Sequence, residues 1–474
     1  MDGEVSIEAL VDVVRSSTGD GGITVRALAR LSGGASRETW AFDAVRSDGT
    51  VDELILRRDP PGAVRVVPGG MGLEARALAA AAGVGVPVPR VLAGSDDLSV
   101  LGAPFIVMER LAGETIPRKI LRDDAYAGAR PRLAGQCGTI LARLHRLSPD
   151  DVGDLEEQDQ LSRYREVLDE LAQPHPALEL GFRWLQDNRP PVSRRTVVHG
   201  DFRNGNLIVD PGGVRAVLDW ELVHAGDPIE DLAWLCVKAW RFGVDLPVGG
   251  FGTYDQLTGA YEAESGTRVD RDAMRWWEVL GTLKWGVMCI VQAASHTSGM
   301  VRSVELAAIG RRVCENEWDV LDLLPAPFSG QPADGGPSRR MSLSAPAAGG
   351  PGASPAESLV AEAGPHDMPG AAELVEAVRE FLERDVMETT AGRVRFHTRV
   401  AINVLAIVER ELAARSEHAA RHAAGLAAVG VTSETGLAAA IRAGSLDDRL
   451  AEVAAFVRAT VRDKLEVAHP GYVG

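Results

Sequence analysis

Residues 197–210, VVHGDFRNGNLIVD, set His199, Gly200 and Asp201 directly after a strand-like run, with Asn206 five positions past the aspartate. A carboxylate and an amide so spaced on one loop can divide labour. One orients an attacking hydroxyl and accepts its proton, and the other holds a metal ion. Thirteen residues after Asn206, past the apolar run VRAVL, comes Asp219 in the triplet Asp219, Trp220, Glu221. A second carboxylate at a strand end, beside the first loop, is where Mg²⁺ bridging nucleotide phosphates would find its ligand.

Upstream, residues 23–110 alternate short apolar runs with turn signals. ITVRAL, ETWAFDAV, DELILRR and PFIVMER have the length and β-branched content of strands. Between them LEARALAAAA, from Leu73, reads as one helix that stops at the Gly and Pro residues of GVGVPVPRVL. The pattern predicts a small sheet with one helix. Residues 122–182 turn helical, with Ile140, Leu141, Leu144 and Leu147 on one side, and helices resume from Ile229 to Leu324. Residues 329–365, rich in Gly, Pro, Ser and Ala, read as a flexible linker. They divide residues 1–328 from a tail, residues 366–474, and no repeat of fixed period is found.

The length of 474 residues suits several domains, and the 45% hydrophobic and 25% charged content is that of an ordinary globular chain. No uninterrupted apolar run reaches the ~20 residues of a membrane span. The formal charge of −17, most of it in residues 1–328, disfavours an extended nucleic-acid or anionic-membrane surface. The N-terminus lacks the basic start and apolar core of a secretory signal, and the four cysteines, Cys137, Cys236, Cys289 and Cys314, show no paired or CxxC spacing. The chain reads as cytoplasmic, with reduced thiols and no zinc site. Only four of the 50 basic residues are lysines, Lys119, Lys238, Lys284 and Lys464, so no mechanism can draw on a lysine in the first 118 residues.

The order HGDFRNGN, LDWE, GDPIEDLAW resembles the aminoglycoside phosphotransferase and choline kinase group, small-molecule kinases with a protein-kinase-like fold, over residues 20–325. The resemblance implies an α+β, two-lobed fold: a small β-rich N-lobe over about 20–112 and a mainly helical C-lobe over about 113–328. It implies ATP and Mg²⁺ as cofactors and a small-molecule hydroxyl as acceptor. Asp201 is then the catalytic base, and Asn206 and Asp219 the metal ligands. Gly33 and Gly34 of LSGGASRETWAF would let backbone N–H groups approach the phosphates. Glu74 matches the carboxylate that pairs with the phosphate-holding cation, and the backbone from Glu109 to Leu111 in PFIVMERLAG would bind adenine. That cation is usually lysine. Here Arg57 or Arg58 must serve, and alternation from Ile55 selects Arg57. Arginine keeps the charge but adds a bulkier planar fork. LRRDPPG, GVPVPRVL and IVMERLAGETIPRK resemble the branch fused to or found beside acyl-CoA dehydrogenases, in which arginine is usual here.

Asp227 and Asp231 are expected to fix their loop and cap the next helix, and His199 to brace the Asp201 loop. His145 reads as a core residue, and Trp276, Trp277 and Trp285 as core packing in the region where the family builds its acceptor pocket. In the tail, Leu374, Val378 and Phe381 share one helical face, and Phe396, Val400, Val404, Ile407 and Leu412 another. The tail resembles the uncharacterised helical domain beside phosphotransferases of this branch. Arg399, Asn403 and Arg410 edge its second helix, as a solvated face or as a contact for an anionic ligand or the kinase surface. The branch favours a hydroxyacyl compound or its CoA thioester as acceptor. The acidity would suit an aminoglycoside, and a non-catalytic nucleotide-binding regulator is the alternative from another class.

Overall fold

The computed structural model describes residues 5–31, 37–59, 70–331 and 370–473. Gly33 and Gly34 lie outside them, as does the expected linker apart from Ser329, Gly330 and Gln331. Contacts group the chain into two units, Met1–Gln160 with Asn188–Thr282, and Leu161–Asp187 with Leu283–Gly474. Two stretches of the expected C-lobe thus group with the tail, a division that the linker composition does not announce.

In the first unit, β1 (Thr24–Arg30), β2 (Glu38–Val45), β3 (Val51–Arg58), β4 (Val91–Ser95) and β5 (Phe105–Glu109) form an antiparallel sheet in the order β1-β2-β3-β5-β4. Leu54 and Leu56 of β3 turn to one face. There they join Phe42, Phe105 and Val107 against Leu10, Val13 and Val14 of α1 (Ile7–Thr18). Each such side chain contributes roughly 1.5–3 kcal/mol by leaving water. Ile55 turns to the other face and packs with Met71, Ile106 and Met108 beneath α2 (Met71–Gly83). Neither α1 nor β4 is foreseen from the sequence. Helix α1 is nonetheless well signalled, since Ser6 accepts the Ala9 N–H and Gly19 closes it at φ 71°.

The rest of this unit is helical around two hairpin-like pairs. β6 (Thr196–Val198) pairs with β9 (His224–Gly226), and β7 (Leu207–Asp210) with β8 (Gly213–Val217). Leu133, Cys137 and Leu141 of the helix Arg130–Leu144 pack with Phe202, Leu207, Trp220 and Leu232 in one core. That core fixes both ends of the loop carrying Asp201.

Among the described residues, the regular elements of the second unit are all helices. Its core draws on Ile441 of the helix Glu434–Ala443 and on Val453, Val457, Val461 and Leu465 of the helix Leu450–Ala468. Of the residues on the expected apolar faces of the tail, Leu374, Val378, Phe381, Phe396 and Leu412 are exposed, while Val400, Val404 and Ile407 are half-buried. Helical periodicity identifies an apolar stripe but not what covers it. By length and composition Gly392–Ala443 passes for a membrane span, but Gly430, at φ 85°, separates the helix Gly392–Val429 from the next. Glu317, 1% exposed, bonds His175 Nδ1 at 2.9 Å and Lys464 Nζ at 3.3 Å. Burial alone would raise its pKa, yet Lys464 and His175 outweigh burial and hold it at about 2.

Candidate active site

The loop after β6 is held from behind by a carboxylate. Asp231, fully buried, accepts the N–H of His199 at 2.8 Å and that of Gly200 at 3.0 Å. His145 meets the same carboxylate at 3.2 Å and Tyr261 at 3.1 Å. Burial pushes Asp231 toward the neutral acid, but the hydrogen bond and charge of His145, with the backbone N–H of His199, hold its pKa below the ordinary carboxylate value. Gly200 sits at φ 80°, and a Cβ there would lie 2.4 Å from the Leu222 carbonyl oxygen, so the turn requires glycine.

His199 spans the gap to the second carboxylate. Its Nδ1 accepts the Asp201 N–H at 3.2 Å, and its Nε2 donates to the Leu218 carbonyl at 3.0 Å. The accepting Nδ1 defines a neutral Nε2–H tautomer. The β7–β8 register, Leu207 opposite Val217, continues outward with the Leu218 N–H on the Asn206 carbonyl at 2.8 Å. Asn206 and Asp219 are thereby brought to one end of a two-stranded ribbon. Asp219 itself adopts φ 66° and ψ 63°, a left-handed conformation that aspartate tolerates better than most residues.

Around Asp201 three donors converge. Trp234 Nε1 lies 2.8 Å from Oδ1, Asn206 Nδ2 2.6 Å from Oδ2, and Arg203 Nε 3.0 and 3.2 Å from the two oxygens. The Arg203 guanidinium stands 4.7 Å over the Trp240 ring. Asn206 Nδ2 also donates to the Asp201 carbonyl at 2.9 Å. Its amide hydrogens are thus used, leaving Oδ1 as the group's remaining ligand atom.

From the sheet, Arg57 reaches the same place. Its Nη1 lies 2.8 Å from Glu74 Oε1 and its Nη2 2.8 Å from Asp219 Oδ1. Arg57 lies on the face of Ile55, as alternation requires, whereas Arg58, on the other face, is buried against Glu38 at 2.7 Å. Burial would raise the pKa of Asp219, but the Arg57 charge and hydrogen bond, helped by Arg37, depress it. Burial and the neighbouring Asp219 charge raise that of Glu221.

Arg37 is a member of this cluster that sequence reasoning missed. It bonds Glu74 Oε2 and lies 3.3 Å from Asp59 and 3.5 Å from Glu221. It lies within the quoted LSGGASRETWAF, where its place after the glycine pair hints at a phosphate-side position. Glu74, 2% exposed, is thus gripped by two guanidiniums. Arg37→Ala should lower stability by roughly 1.5–3 kcal/mol, the range for a charge-assisted hydrogen bond. An unchanged urea midpoint would contradict this. Trp234 and Arg203 were also not singled out, although both lie within motifs already quoted.

Other expected residues are less engaged. Glu109 ends β5 with its N–H on the Arg90 carbonyl at 2.9 Å, and the Arg110 N–H is on Glu53 at 2.9 Å. Among the described residues no backbone hydrogen bond is found for Leu111. Asp227 accepts the Ile229 N–H at 2.9 Å and the Ser193 N–H at 2.8 Å. Trp276 is buried and Trp277 packs against the core. Arg410 caps the carbonyl of Val467 at 2.7 Å.

The residues fit a hard divalent cation, because Asn206 Oδ1 and the second oxygen of Asp219 are oxygen donors. The guanidiniums of Arg37 and Arg57 contact the carboxylates of Glu74, Asp219, Glu221 and Asp59 beside these oxygens.

Residues 27–277 match the model of the phosphotransferase enzyme family, and residues 388–472 that of a domain of unknown function, DUF6285. The chain is 34% identical over 202 residues to mouse acyl-CoA dehydrogenase family member 10, a stretch of 39% of this chain and 18% of that one. It is 31% identical over 220 residues to human acyl-CoA dehydrogenase family member 11, covering 43% and 27%. The chain therefore spans under a third of the length of these relatives. A crystal structure from Ralstonia eutropha, assigned to the aminoglycoside phosphotransferases, superposes with a TM-score of 0.53 at 23% identity, covering 67% of this chain and 98% of that one. That likeness establishes a kinase-like fold. With the family match reaching from the first strand to the tryptophan pair, the chain belongs to the phosphotransferase enzyme family.

Proposed function

We propose that this phosphotransferase moves the γ-phosphoryl group of ATP to a hydroxyl of a small molecule, with Mg²⁺, in the cytoplasm. The observation that carries the reading is the convergence of Asp201, Asn206 and Asp219, tied together by His199 and by the Asn206–Leu218 hydrogen bond. Asp201 orients the acceptor hydroxyl and takes its proton. Trp234 and Asn206 hold the carboxylate in place for that role. Arg57 and Arg37, steadied by Glu74, supply positive charge for phosphate, and the backbone from Glu109 to Leu111 offers N–H and C=O groups to a nucleobase edge. Asn206 and Asp219 would hold Mg²⁺, which supplies charge neutralisation at the phosphate oxygens. Gly33 and Gly34 remain candidates for covering them.

The acceptor we favour is a hydroxylated acyl compound or its CoA thioester, supported by the names of the relatives. A test is ADP release against a panel of hydroxyacyl-CoAs, the free hydroxy acids and aminoglycosides. Acceptor-dependent release with the acyl compounds alone supports the reading, and release with aminoglycosides alone sinks this choice of acceptor. One observation favours a nucleotide-binding regulator instead: Asp201 and Asp219 are both engaged by arginines, Arg203 and Arg57. Metal-dependent ATP consumption stimulated by any acceptor would remove that alternative.

A further inference from the structure

The second unit contains a cavity of about 520 Å³ between the helices Val313–Leu323, Gly392–Val429 and Leu450–Ala468. His418 and Asp463 line it, and together with Glu466 they bring one imidazole nitrogen and two carboxylate oxygens within 4.8 Å of one another. Spacing explains how. Asp463 and Glu466 are three residues apart and so share a face of the last helix, opposite His418 on the long one. We propose that these three side chains form a binding site for a divalent first-row transition cation, with a coordination position left open to the cavity.

The donor set is suited to it. Imidazole and carboxylate together select such ions, and three protein ligands plus one open position is the arrangement of accessible zinc sites. Ligand atoms around a tetrahedral zinc stand about 3.4 Å apart. His418 Nε2 and Glu466 are already 3.6 Å apart, and Glu466 is exposed enough to adjust. Asp463 is oriented by a two-point bond from Arg421, at 2.9 and 3.2 Å. A carboxylate has lone pairs left after such a bond, and ligating carboxylates are commonly held in this way by an outer partner. His422 lies one turn beyond His418 and lines the same cavity, with Nε2 3.7 Å from Glu434. It offers a second imidazole close by. Cysteine spacing, which predicts no zinc site, cannot report a histidine and carboxylate set brought together by two helices.

The test uses the full chain, stripped with chelator and titrated with Co²⁺, followed by Zn²⁺. One equivalent of Co²⁺ should give visible ligand-field bands without a thiolate charge-transfer band, and Zn²⁺ should displace it. His418→Ala and Glu466→Gln should each weaken binding at least about tenfold with unchanged helical circular dichroism. Asp219→Asn, in the phosphotransferase site, should leave it intact. Absence of the cobalt bands overturns the proposal. So does binding that survives both tail variants, a thiolate band from Cys314, or loss of binding in Asp219→Asn.

Discussion

Asp201→Asn should lower acceptor-dependent ADP release by roughly 10²–10⁴-fold, the usual contribution of a general base, while ATP binding stays within a few fold. The amide keeps the size of the carboxylate and can still accept from Trp234 Nε1, now 2.8 Å from Oδ1. It can neither take a proton from a hydroxyl nor pair with Arg203 as an anion. Turnover, rather than nucleotide affinity, should therefore carry the loss. The check is steady-state ADP release beside a direct measurement of ATP binding on the same preparation. Turnover near the wild-type rate would remove Asp201 from the role of base.

The largest effect on stability is expected from Asp231→Ala. That change strands the N–H groups of His199 and Gly200 and leaves the buried His145 with only Tyr261. Breaking one partner out of a buried charged set costs about 3–5 kcal/mol. Asp231→Asn should recover little, because an amide turns an N–H toward one of two N–H donors. Since the folded pKa of Asp231 is depressed, its stabilisation is present above the unfolded carboxylate value and is lost only as pH falls through the folded one. The Asp231 carboxylate itself should thus add no pH dependence to the deficit between pH 6 and 8. Urea unfolding of the three proteins measures it, and a loss under 1 kcal/mol would mean that the loop is held by other contacts.

Much of the site was legible because its residues lie close together in sequence. HGDFRNGN and LDWE announce Asp201, Asn206 and Asp219, and the alternation of β3 separates Arg57 from Arg58 without any coordinates. Arg37 could not be found in this way. It is an arginine in a turn until β2, α2 and the Asp219 loop surround it with Glu74, Asp59 and Glu221. The tail shows what periodicity leaves open. Its apolar stripes were plain, but Leu374, Val378 and Phe381 are exposed because periodicity records a helix face and not its cover.

The sequence by itself determined the kinase-like fold class, four of the five strands of the first sheet, the grouping of Asp201, Asn206 and Asp219 around one loop and strand end, and an arginine where the family usually has lysine. Each rests on local propensity, on pairing between neighbouring strands, or on groups within a few residues of one another. Only the tertiary structure decided that Arg57, beyond its expected partner Glu74, also reaches Asp219, that Asp231 anchors the Asp201 loop from 31 and 32 residues away, and that His418 faces Asp463 and Glu466. Those are contacts between distant segments, and packing rather than spacing brings their charges within reach of each other.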